Sequence, residues 1–274
     1  MFDALLHAGA LSARDLADLE FFGVRGALVP SDDAAVASSA AVRRGWEAVV
    51  SSVRRLRKAG LAGHAALGLH PARIPLRGLE ALLAELPAML GRPEVAALGA
   101  VGLHQGGALE ERVLARQLEL ARELRVPVLV ALGWRERERL ARRVLAILRE
   151  AELEPGRVLV AGVDARGVRA IRACGYLAGL SLSAGVRPGD GLEAAVRTVA
   201  ALGPEGLVLG SGAGLAGGDL LALPRAADRL ARAGLGGGVI RRVCAVNAIR
   251  FLGVELPAAA EPESSGRSGH RASP

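Results

Sequence analysis

Three histidines stand where chemistry is possible. His7, His70 and His104 each follow a short apolar run, and imidazole is both a frequent metal ligand and the usual general base near neutral pH. Asp3 lies four residues before His7, in Asp3-Ala4-Leu5-Leu6-His7. If the three imidazoles meet, they could hold one divalent ion, which normally takes three or four protein donors in a fixed geometry. The plainer reading gives each histidine a hydrogen bond to backbone, water or a ligand, and it is the one preferred.

A second set comprises Ser183, Arg187 and the run Gly210-Ser211-Gly212-Ala213-Gly214-Leu215-Ala216-Gly217-Gly218. Gly212 to Gly217 has the formal Gly-x-Gly-x-x-Gly spacing, but the following βαβ strand that a dinucleotide site requires is missing. Small residues there would still let backbone N–H groups approach an anion, with Ser183, Gly185 and Arg187 contributed by the preceding loop. Ser181, Ser183 and Ser211 lack a Gly-x-Ser-x-Gly elbow, and no Asp/His pair has an evident triad role. Serine hydrolysis has no support.

The elements that must position these groups are legible around residues 94 to 135. Val95 to Val101 and Val126 to Leu132 are short apolar runs of the kind buried on both faces of a parallel sheet. Leu114, Leu118, Ala121 and Leu124 recur between them at helical spacing, which makes the stretch a βαβ unit. The remaining expected strands are Phe2 to Leu6, Gly26 to Val29, His64 to Leu69, Val158 to Ala161, Tyr176 to Leu182 and Leu207 to Leu209, each followed by a helical pattern. Eight such units predict a single α/β domain, a (β/α)8 TIM barrel over residues 1 to 256, with an extra C-terminal helix at Val239 to Phe251. Residues 257 to 274, rich in Pro, Ala, Glu, Ser, Gly and Arg, read as a disordered C-terminal tail, which removes His270 as a ligand. In such barrels chemistry sits at the C-terminal strand ends, where His7, His70 and His104 are expected. Trp134 is expected to border that mouth, or to cap it.

Ala97-Leu-Gly-Ala100-Val-Gly-Leu103, Gln117-Leu-Glu-Leu-Ala-Arg-Glu-Leu124, Val126-Pro-Val-Leu-Val130 and the closing segment Asn247-Ala-Ile-Arg-Phe251 together resemble the TatD-related metal-dependent hydrolases. Gly68-Leu-His70-Pro71 is similar to the family's Gly-x-His-Pro. The resemblance runs from about residue 2 to 254 and implies an amidohydrolase-like barrel with divalent metal at the strand ends. It also implies that ligands have been exchanged. Leu5 stands where the family's Asp-x-His-x-His has its first histidine, Ala100 where it has a glutamate, and Ala131 and Gly162 where it has histidines. Gly214 aligns, less securely, with the aspartate that binds metal and activates water. His7 alone remains of the implied ligand set, with Asp3, a non-ligating support, beside it. Without metal, water keeps its high pKa and no Lewis acid polarises the bond to be broken.

Composition narrows the partners. The 274 residues are 51% hydrophobic but only 3% aromatic, with a formal charge of +7, so the core must be built from Leu, Val and Ala. Lys58 is the sole lysine, and the arginines are scattered and interleaved with glutamate instead of clustering beside aromatic platforms, as nucleic-acid sites do. The basic balance is read as compositional and the basic end of the helix near residue 58 as a solvated face. Cys174 and Cys244 lack a CxxC partner and are expected to be buried thiols. No apolar run reaches the roughly 18 residues of a membrane span, and no signal peptide is read, so a cytoplasmic protein is expected.

The expected function is therefore that of a hydrolase-fold protein that has lost metal-dependent hydrolysis, a pseudoenzyme serving as a binding or scaffold subunit for a protein partner or a small anionic ligand. No metal cofactor is expected. The alternative is a metal-dependent hydrolase of phosphodiester or related substrates with a rearranged His7, His70 and His104 site. A second alternative is nucleic-acid binding without catalysis.

Overall fold

The computed structural model describes residues 1–32, 37–133, 135–183, 191–215 and 218–256. Its strands are β1 (Phe2–Asp3), β2 (Gly26–Pro30), β3 (Ala62–Leu67), β4 (Val95–Leu103), β5 (Val128–Leu132), β6 (Val158–Ala161), β7 (Leu177–Ser181) and β8 (Leu207–Gly210). They pair in parallel in chain order, and the seam between β8 and β1 is crossed by the Ala4 N–H donating to the Leu209 carbonyl at 3.3 Å. The result is the (β/α)8 barrel that the alternation predicts.

Helices α1 (Ala13–Phe21), α2 (Ser39–Lys58), α3 (Leu79–Leu90), α4 (Ala108–Leu124), α5 (Arg137–Glu150), α6 (Ala165–Arg172), α7 (Leu192–Leu202) and α8 (Ala222–Arg232) follow the strands in turn. Each buries an apolar stripe, such as Val113, Leu114, Leu118 and Ala121 of α4, against the outside of the sheet. At the start of α1, Ser12 and Asp15 satisfy each other's backbone N–H groups in a capping box, fixing the helix start where the sequence places it.

The inside of the barrel is a separate apolar cluster of Phe2, Leu28, Ala66, Leu129, Leu159, Leu177 and Val208, among others. Its N-terminal end is plugged by the chain's last helices. The single helix expected at Val239 to Phe251 is instead α9 (Gly237–Arg241), a π turn over Arg242–Val246, and α10 (Asn247–Leu252). Phe251 and Leu252 enter the interior cluster, while the Asn247 side-chain amide donates to the carbonyls of Pro204 and Leu207 at 2.8 and 2.6 Å. Those bonds tie the plug to the foot of β8.

Two strands depart from expectation in ways that matter at the other end. β1 stops at Asp3 because the following backbone pairs with the segment after β8 by single bonds instead of a continuous ladder. β4 runs on to Leu103 with an irregular register between Leu98 and Val101, a bulge of the kind that re-aims side chains near sites, and it carries Ala100. On the outer surface Arg54 pairs with Glu94, while Arg55 and Arg57 bond backbone carbonyls of neighbouring segments. The basic end of α2 is thus tethered, not simply solvated. Cys244 is buried, and burial pushes its thiol up to about 12. Cys174, contrary to expectation, is only part-buried. No described helix is long and apolar enough to cross a membrane, and the expected tail lies outside the described residues.

Candidate functional site

A cavity of about 370 Å³ opens among the C-terminal strand ends, and His7, His70 and His104 all border it. The same cavity is lined by Leu5, Ala100, Ala131 and Gly162. Four of the five positions that the family resemblance assigns to exchanged ligands therefore converge on one wall, from β1, β4, β5 and β6. Their side chains there are an isobutyl group, two methyls and a hydrogen.

Each histidine has its own support. His7, largely buried, turns its Nδ1 to the Asp32 carboxylate, which sits just beyond the end of β2. The backbone N–H of His7 donates to the Ala213 carbonyl at 2.8 Å. His70 ends the β3 segment and caps the short 3-10 turn Pro71–Arg73, its Nδ1 accepting the Ala72 N–H at 3.3 Å. That bond requires a lone pair on Nδ1 and so puts the proton of the neutral ring on Nε2. Its backbone is clamped from three sides: the Gly68 carbonyl accepts from Trp46 Nε1 at 3.0 Å and from Ser31 Oγ at 3.2 Å, and Gln117 Oε1 accepts the Leu69 N–H at 2.7 Å. His104 begins a loop whose backbone N–H groups, those of His104, Gln105 and Gly106, all donate to the Glu110 carboxylate at 2.7 to 3.0 Å.

Sharing a cavity does not make a metal site. Among the described residues no three His, Cys, Asp or Glu side chains gather closely enough to hold an ion, and the donor that His7 does face, Asp32, comes without a third. The described residues do not supply the donor set of the divalent metal that the family resemblance implies. His64, at the opposite half of the barrel with its ring 6.3 Å from that of Phe2, is lowered by burial to about 4 and stays neutral.

The glycine run after β8 has a different task from the anion cradle expected of it. Ser211 N–H donates to Asp3 Oδ1 at 2.9 Å, Gly212 N–H to the Leu5 carbonyl at 2.9 Å, Ala213 N–H to Ser211 Oγ at 2.9 Å, and Leu215 N–H to the Gly212 carbonyl at 3.2 Å. Ser183 spends its hydroxyl on the Ser211 carbonyl at 2.7 Å. The Ser211 and Gly212 bonds close the barrel seam and the Ala213 and Leu215 bonds fold the run on itself, so these four N–H groups are already engaged within the chain. A Cβ on Gly210 would meet Leu5 Cβ at 2.6 Å, and one on Gly212 would meet Ser183 Oγ at 2.3 Å. Gly210 and Gly214 are held where the segment after β1 approaches too closely for a side chain, and Gly212 where Ser183, after β7, does. Gly214 packs on the His7 carbonyl, at 2.0 Å from where its Cβ would lie, so it does not present a side-chain position to the cavity. Arg187, Gly185, Trp134 and Gly217 lie outside the described residues.

Asp3 anchors this seam. It is fully buried, with Oδ1 accepting from the N–H groups of Leu5 at 3.1 Å and Ser211 at 2.9 Å, while Oδ2 has no hydrogen-bond partner. Burial raises its carboxyl above the ordinary range, against the opposing hydrogen bonds from Ser211 and Leu5. With the folded pKa above the unfolded one, the folded state holds the extra proton between those two values, and stability falls as pH rises through that window. Asp3→Asn keeps the Oδ1 acceptor and removes the ionisation. The variant should melt above the parent at neutral pH and converge with it below the ordinary carboxylate pKa, as thermal melts across pH would show. A parent equally stable relative to the variant at all pH values would contradict the raised pKa.

Sequence reasoning missed Asp32, Ser31 and the buried role of Gln117. Gln117 carried a signal, as a lone carboxamide on the apolar stripe of α4. Asp32 and Ser31 follow directly on an expected strand end, which is the place to look in a barrel of this class.

Comparison with known proteins agrees with this geometry. No protein-family model matches the chain. Over 162 residues it is 27% identical to an uncharacterized metal-dependent hydrolase of Methanocaldococcus jannaschii, a match covering 58% of this chain and 64% of that protein, and so less than two thirds of the relative's length. Among solved structures, a TatD-like protein of Archaeoglobus fulgidus superposes with a TM-score of 0.77 at 24% identity, over 93% of this chain and all of that one. The phosphotriesterase homology protein of Escherichia coli, solved with phosphate in its active site, gives 0.71 at 16% identity over 92% of this chain and 98% of its own. A TatD homologue of Escherichia coli, YJJV, gives 0.69 at 20% identity over 93% and 98%. The fold is that of the TatD-like proteins.

Proposed function

We propose that this TatD-like barrel has lost the metal-dependent hydrolysis of its relatives and serves as a binding or scaffold subunit. The observation that carries the reading is the convergence of Leu5, Ala100, Ala131 and Gly162 on the cavity wall. A lost ligand at one strand end could be replaced from a neighbour. Four apolar or absent side chains around one wall leave His7 with the Asp32 carboxylate and no third donor among the described residues. Hydrolysis at neutral pH without a Lewis acid needs an activated nucleophile instead, and the buried hydroxyls that line the mouth among the described residues, Ser31 and Ser183, are committed to the Gly99 and Ser211 carbonyls.

A second reading, hydrolysis by a rearranged metal site, is favoured by the name of the Methanocaldococcus jannaschii relative and by His7, His70 and His104 bordering one cavity. Assay of a phosphodiester such as bis(p-nitrophenyl) phosphate with added zinc, manganese or nickel separates the two. The proposal expects turnover no faster than the metal alone. Metal-dependent turnover abolished by chelator and by His7→Ala would establish the second reading.

A further inference from the structure

The wall that no longer holds metal is chemically specific in another way. It is floored by Leu5, Leu129, Leu159 and Val208 together with the methyl groups of Ala131 and Ala161. Its volume, about 370 Å³, falls within the range of small-molecule sites, and an engineered apolar cavity of roughly 150 Å³ in another protein holds one benzene ring. This cavity therefore has room for about two rings, or a branched aliphatic group of equal bulk. Among the described residues no lysine or arginine lines it, and its one acid, Asp32, is turned to His7. An anion brought from water onto this apolar floor would meet no described lysine or arginine, which favours a neutral occupant. The polar groups at the rim, among them Ser181 at the end of β7 and His104 at the end of β4, are few and suited to orient one hydrogen-bonding head.

We infer that the barrel mouth is a receptacle for a compact, uncharged, mostly apolar molecule bearing a single hydrogen-bonding head. This deepens the proposed function and rests on it, since a bound metal would bring charge and coordinated water to the same wall. It also puts a neutral ligand in place of the anionic one expected from sequence, because the Ser211, Gly212 and Ala213 N–H groups are already bonded within the chain.

The probe that tests this is 1-naphthylamine, neutral and two-ringed, with one amino head and a fluorescence that shifts to the blue in apolar surroundings. Titrated into the full chain, it should bind saturably at one site per chain, with a Kd of about micromolar order. Ala131→Phe and, separately, Ala161→Phe fill the cavity and should weaken binding by about tenfold or more while circular dichroism and Tm remain those of the parent. If either filler fails to fold, Leu5→Ser, which trims the wall instead of crowding it, should weaken the probe by about tenfold. Absence of a saturable signal, affinity unchanged in the folded variants, or displacement by inorganic phosphate each overturns the inference. Metal content is read on the same preparation. A metal-free chain that ignores the probe refutes the receptacle alone, whereas a chain carrying a full equivalent of metal refutes the reading beneath it.

Discussion

Leu5→His, Ala100→Glu and Ala131→His, made together, are expected to give a chain that retains zinc through purification where the parent is expected to be essentially metal-free. The three positions border one cavity with His7, so the variant would offer three imidazoles and a carboxylate, the number and kind of donor a catalytic divalent site uses. Gly162 is left alone, because its φ of 72° lies in the left-handed region where a histidine would be strained. Ala100 is accessible to this change because the β4 bulge carries it and its methyl already meets the cavity. The gain is large, from no competent donor triad to four donors, and should appear in isothermal titration as binding at least about a hundredfold tighter than the parent's, or about 2.7 kcal/mol. A variant that folds, by circular dichroism, yet binds zinc no better than the parent would mean that these positions do not face a common point. The family correspondence on which the functional reading rests would then be lost.

Gly214→Asp should do the opposite of restoring function. The resemblance aligns this glycine with an aspartate, yet its Cβ would stand 2.0 Å from the His7 carbonyl oxygen, with φ at 91°. The obstruction is backbone, held by the His7 N–H bond to Ala213, so it cannot rotate away as a side chain would. Relief requires parting β1 from the segment after β8. Asp3, buried beneath, would then lose the Ser211 N–H as well. The expected cost is about 4–5 kcal/mol, the upper range for a single substitution, read as a collapse of the chemical denaturation midpoint or as insoluble expression. Near-parental stability would show that the seam is looser than its hydrogen bonds imply.

The contrast between these two substitutions marks how far the sequence could be read. The eight strands were legible because strands buried on both faces must be short unbroken apolar runs, and Val158 to Ala161 needed no adjustment at all. The positions that the family resemblance assigns to exchanged ligands lie within or at the ends of those runs, except Gly214 in the loop after β8. What could not be read was any partnership made between distant segments. Nothing in Gly210 to Gly218 says that its N–H groups bond the Leu5 carbonyl and the Asp3 carboxylate; the same glycine spacing serves an anion cradle and a tight seam equally well. The pairing of His7 with Asp32 joins the segments beyond β1 and β2, which the parallel register of those neighbouring strands brings together. The π turn in the last helix is invisible for a related reason, since its period differs from that of the flanking turns by a single residue and the apolar pattern reads through it. Gln117 shows the middle case, in which the sequence announced a misplaced polar group but not the Leu69 amide that it satisfies.

The central claim, that the donors needed for metal-dependent hydrolysis are gone, meets its most direct test in the stoichiometry of metal on the unaltered chain. The protein would be purified without chelator, dialysed against micromolar zinc, manganese and nickel in turn, and measured by elemental analysis beside His7→Ala. The account predicts well under one equivalent of each metal and no difference between the two proteins. A full equivalent that disappears in His7→Ala would contradict it and would establish a working metal centre at the barrel mouth.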